Sequence, residues 1–114
     1  MMLSASFTKT DIENSQISSR LRDALLLSFA DNVDMPKTIE VDGQEYVVDD
    51  DEISTMWKDD GSTSNVIFIF PGYARWTKWS DADGHDSFSV DFTFTGDRSQ
   101  DLAALENFNA QITD

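Results

Sequence analysis

The chain has 114 residues, a size that fits one domain. Twenty-two acids against eight bases give it a formal charge of −14, and it contains no cysteine. These features exclude disulfides, thiolate metal sites and a cysteine nucleophile, and they disfavour contact with nucleic acid or anionic membrane.

The hydrophobic content of 39%, with eight Phe, three Trp and two Tyr, is too high for a disordered acidic tail and predicts a folded core. Leu3, Ala5 and Phe7 alternate as in a short edge strand. Thr10-Asp11-Ile12-Glu13 fits a capping box. The apolar stripe Ile17, Leu21, Ala24, Leu25 and Phe29 then continues a helix to about Asp31-Asn32, before Pro36.

Thr38–Val41 and Gln44–Val48 flank Asp42-Gly43, a pair suited to the positive φ angles of a type I′ hairpin turn. Ile53, Thr55 and Trp57 alternate in a third strand, and 59–64 has the composition of a loop. Val66 to Phe70 is a continuous apolar run, the pattern of a strand buried on both faces. Pro71-Gly72 interrupts it, and Tyr73 to Trp79 is a further strand or its continuation after a bulge. Residues 81–86 turn the chain, and Phe88, Val90, Phe92 and Phe94 share one face of a half-buried strand. A last helix spans about Ser99 to Ile112, capped by Asp97 or Ser99, with Leu102, Leu105, Phe108 and Ile112 as its stripe. The expected fold is α+β: an antiparallel, meander-like sheet of four to five strands with an N-terminal and a C-terminal helix on one face.

The acids cluster. Glu40 to Asp60 holds nine acids and one Lys, and Asp81 to Asp101 holds six acids and one Arg. The expected partner-binding residues are Asp49, Asp50, Asp51, Glu52, Asp59, Asp60, Asp81, Asp83 and Asp86, with Trp57 or Trp76 as an exposed aromatic anchor. The turns 49–52 and 59–60 are expected to converge at one end of the sheet. Duplex DNA carries about one charge per 1.7 Å of axis, so carboxylates on a rigid sheet suit the same Lys/Arg sites.

Competing chemistry has weaker support. Asp81-Ala82-Asp83-Gly84-His85-Asp86 is acidic enough to invite a calcium reading, but an EF-hand loop needs Gly at its sixth position and Glu at its twelfth, and Phe92 stands there. Asp and Gly also favour turns for backbone reasons. His85 is the only histidine and belongs to no nucleophile motif. No phosphate loop or zinc spacing occurs. The expectation is therefore no enzyme, no cofactor and no metal.

No run approaches the roughly 18 apolar residues of a membrane span. Met1 to Thr10 has one Lys and no apolar segment of the roughly 7–15 residues a secretory signal needs, so a cytoplasmic location in a host cell is expected. In composition the chain resembles the small acidic inhibitors that phages and mobile elements direct against host nucleases or CRISPR complexes. The resemblance implies an inhibitor, monomeric or a small homo-oligomer, that binds a basic protein or nucleoprotein complex at its nucleic-acid site without touching nucleic acid itself. The alternatives are an immunity protein or antitoxin that neutralises a basic toxin, and a structural protein of a virion or other assembly.

Overall fold

A computed structural model describes residues 3–30, 34–59, 63–80 and 87–113. The order of elements is α1 (Lys9–Asn14), α2 (Ser19–Ser28), β1 (Thr38–Val41), β2 (Gln44–Val48), β3 (Ile53–Asp59), β4 (Thr63–Ile69), β5 (Tyr73–Ser80), β6 (Ser87–Thr93) and α3 (Arg98–Thr113). The six strands form one antiparallel meander in the order β1-β2-β3-β4-β5-β6. The fold is α+β as expected, but the sheet has six strands where four to five were expected. Tyr73 begins a separate strand that pairs with β4, so Phe70-Pro71-Gly72 is a hairpin connection.

The helical start differs in two ways. The capping box is Thr8 with Asp11, two residues earlier than expected: Asp11 N–H donates to Thr8 Oγ1 at 3.2 Å, and Thr8 N–H donates to Asp11 Oδ2 at 2.9 Å. Asp11 is held there because Arg98 of α3 donates Nε–H to the same carboxylate at 2.9 Å. The guanidinium holds the Asp11 carboxyl well below the usual carboxylate range. The helix then stops at Ser15, whose backbone is extended, and a second one begins behind the N-cap Ser18. Ile17 is buried between the two. The second helix ends at Ser28 with Phe29 as its cap, short of the expected end at 31–32, and residues 31–33 lie outside the described residues.

Leu3 to Phe7 is not a strand. Ser4 N–H donates to the Pro71 carbonyl at 2.6 Å, and Phe7 is buried edge-on against Phe94 at 5.5 Å.

Strand register divides the sheet into two faces. Tyr46, Val48, Ile53, Ile67, Ile69, Ala74, Trp76 and Phe92 share the side that meets the helices and are buried. There α2 lies over β3 and β4, and α3 lies over β6. Leu21, Ala24 and Leu25 of α2 and Leu105 and Phe108 of α3 close the core. Phe92 meets Phe94 edge-on at 4.9 Å and Phe108 at 6.1 Å. The expected alternation in β6 holds at its C-terminal end and fades toward Phe88, which is 56% exposed.

Among the described residues Asp101 is the one fully buried charge. Its Oδ1 accepts from Thr95 N–H and Oγ1–H, both at 2.8 Å, and its Oδ2 accepts from Gly96 N–H at 3.1 Å. Burial alone would raise its pKa. The hydrogen bonds from Thr95 and Gly96 outweigh burial and hold the carboxyl below its ordinary value.

Candidate partner-binding surface

In a meander, successive hairpins leave from opposite ends of the sheet. The 42–43 turn, the end of β3 at Asp59 and the start of β4 at Thr63 lie at one end, where β5 and β6 also stop at Ser80 and Ser87. The 49–52 turn and the Phe70–Gly72 connection lie at the other end, where Phe94 N–H donates to the Gly72 carbonyl at 3.0 Å. The expected convergence of 49–52 with 59–60 is therefore not formed. The seven residues of β3 place about 20 Å of strand between the two acidic groups.

Each group is set by the local backbone. At one end Asp42 has φ 51° and Gly43 φ 79°, as a type I′ turn requires. Asp59 accepts from Asn65 Nδ2–H at 2.9 Å. Asn65 is itself buried and accepts from Trp76 Nε1–H at 3.0 Å, so a core side chain fixes a surface carboxylate. Asp23 of α2 belongs to the same end. Its partial burial raises its pKa, and the negative charge of Asp42 raises it further. At the other end Asp49 N–H donates to the Glu52 carbonyl at 2.9 Å, and Asp49 Oδ1 accepts from Asp50 N–H at 2.8 Å. Asp49, Asp50 and Asp51 are exposed, and Glu52 is half-buried. Asp60, Asp81, Asp83, Asp86 and His85 lie outside the described residues.

The aromatic anchors need correction. Trp76 is only 5% exposed, because its position in β5 faces the helices and its indole is tied to Asn65, so it is no surface anchor. Trp57 is half-buried at the rim of a cavity of about 920 Å³ beside α2, with the Arg20 guanidinium 4.2 Å above its ring. Arg20 also donates Nε–H to Gln44 Oε1 at 3.2 Å. Charges lining the cavity balance, with Arg20, Lys58 and Lys78 against Asp23, Asp42 and Asp59. Among the described residues no group of three metal-ligating side chains assembles.

The sheet face away from the helices was not anticipated as a surface feature. Val47, Met56, Val66, Phe68 and Trp79 occupy its middle, and they line a depression of about 520 Å³. The apolar run 66–70 was the available signal, because a strand apolar on both sides needs cover on both. No helix of the described residues is long and apolar enough to cross a membrane. Comparison with protein-family models, curated proteins and solved structures finds no match to this chain.

Proposed function

We propose that this chain is a non-enzymatic acidic inhibitor that occupies a nucleic-acid site on a basic protein or nucleoprotein complex. The observation that carries the reading is the display of carboxylates on short turns at both ends of one hydrogen-bonded sheet. The groups Asp42 with Asp59 and Asp49 to Glu52 stand about 20 Å apart along the strands, the length of roughly six base pairs of duplex. Turn geometry fixes the backbone of each group before the partner arrives, which lowers the ordering cost of binding.

Cations relieve this field unevenly: Arg20, Lys58 and Lys78 stand with Asp42 and Asp59 around the cavity, and the sequence places no basic residue in the 49–52 turn. Arg75 is paired with Asp91 across β5 and β6 at 2.7 Å, and Arg98 is paired with Asp11. Electrostatics then sets encounter rate and salt dependence.

Two variants test the reading against a captured partner: one changes Asp49, Asp50 and Asp51 to Asn and Glu52 to Gln, the other changes Asp42 and Asp59 to Asn. The four-fold variant should weaken binding roughly 4- to 700-fold at low salt, at about 0.2–1 kcal/mol per charge, and flatten the salt dependence. Unchanged affinity in both variants refutes the proposal. Capture of one small basic toxin in place of a nucleic-acid-binding protein moves the assignment to immunity.

A further inference from the structure

The exposed face of the sheet combines two properties. It is apolar at its centre, where Met56 is 57% and Val47 43% exposed and Phe68 and Trp79 are half-buried. Register places Val66 beside Met56 on β3 and Thr77 on β5, so the patch is continuous across strands. Val66 itself is 8% exposed and lines the depression with Met56, Phe68 and Trp79.

The second property is electrical. Among the described residues, the charged side chains that strand register places on this face are Glu40, Glu45 and Asp91 against Lys58 and Arg75, a net −1 in a chain of −14. A basic partner is drawn to the acidic ends and finds no attraction here. A second copy of the chain is repelled by the acidic ends and only weakly by this face.

We propose that two copies of this chain associate through these sheet faces, forming a two-layer sandwich with Met56, Phe68 and Trp79 at its centre. Opposed sheets pack about 10 Å apart, with side chains of the two inner faces interdigitating. Six strands of four to eight residues at about 4.8 Å spacing give a footprint of roughly 600 Å². Side-chain relief brings this toward the ~800 Å² per partner of a standard interface. The rim of Glu45, Arg75, Asp91 and Thr93 is polar, as the border of a specific patch is. The second layer also supplies the cover that the apolar run 66–70 calls for.

Salt separates this contact from binding to a basic partner. Screening weakens attraction between opposite charges but relieves repulsion between two acidic copies, so self-association tightens as salt rises. The test is analytical ultracentrifugation of the whole chain from micromolar to millimolar concentration, at low and at molar salt. The expected result is a monomer–dimer equilibrium whose dissociation constant falls as salt rises. Met56→Glu and Val47→Glu, made separately and checked for fold by circular dichroism, should each raise that constant about tenfold or more. Both positions are exposed in the single chain, so neither substitution opens the core. A chain that stays monomeric under all conditions overturns the proposal. So does a dimer that survives both substitutions, which would place the contact at an edge strand.

Discussion

Replacing Asp101 by Asn changes one carboxylate oxygen to an amide in a site that is 0% exposed. The carbonyl of Asn can still accept from Thr95 N–H and Oγ1–H, but its NH₂ group then meets the Gly96 N–H, donor against donor. Hydrogen bonds to a charged group contribute about 1.5–3 kcal/mol each, so losing one and weakening two should destabilise the fold by about 2–4 kcal/mol. That is a large fraction of the roughly 5–15 kcal/mol that holds a domain together. Urea unfolding followed by tryptophan fluorescence reads it directly, with the midpoint shifted down and the slope unchanged.

The pH dependence supplies a second arm. The folded pKa of Asp101 lies below its unfolded value, so its contribution is complete above about pH 4 and is lost as pH falls through the folded value. The wild-type chain should therefore lose stability more steeply than Asp101→Asn in that acid range. A loss under about 0.5 kcal/mol, or identical acid slopes, would refute the view that this buried carboxylate organises the start of α3.

The Trp76–Asn65–Asp59 connection and the phenol of Tyr46 offer two further checks. Asn65→Leu strips Trp76 Nε1–H of its acceptor and should cost about 1–3 kcal/mol in urea unfolding, whereas an unchanged midpoint contradicts the link. Burial pushes the Tyr46 phenol up to about 12, with Asp23 adding to the shift. Because the unfolded phenol ionises near 10, stability should decline as pH rises from about 10 toward 12, and ultraviolet titration should show this tyrosine ionising late. Ionisation of both tyrosines near pH 10 would contradict its burial.

Where local chemistry decides the outcome, the sequence is legible. Asp42-Gly43 specifies its turn because few other pairs tolerate two positive φ angles, and period-two alternation at Val90, Phe92 and Phe94 assigns β6. The split between α1 and α2 was also written in the residues: Ser15, Ser18 and Ser19 are cap formers, but the apolar stripe runs across them and masks the break. Opposite placement of the two acidic turns follows from a meander once strand order is known, so the expectation of convergence conflicted with the topology itself.

Other features depend on tertiary contact. Parity alone puts Trp76 and Trp79 on opposite faces, but only Asn65 and the helices decide which one is buried. Likewise the apolar run in β4 shows that both faces need cover, and only the structure shows that helices supply one.

The central claim is that the acidic display competes with nucleic acid for a basic site. The most direct test captures host-lysate proteins on the tagged chain, elutes them along a salt gradient with and without added duplex DNA, and identifies them by mass spectrometry. The account predicts a basic nuclease or nucleic-acid-binding complex that holds at low salt, leaves as salt rises and is displaced by DNA. A partner indifferent to both salt and DNA, or recovery of the chain alone, would contradict it.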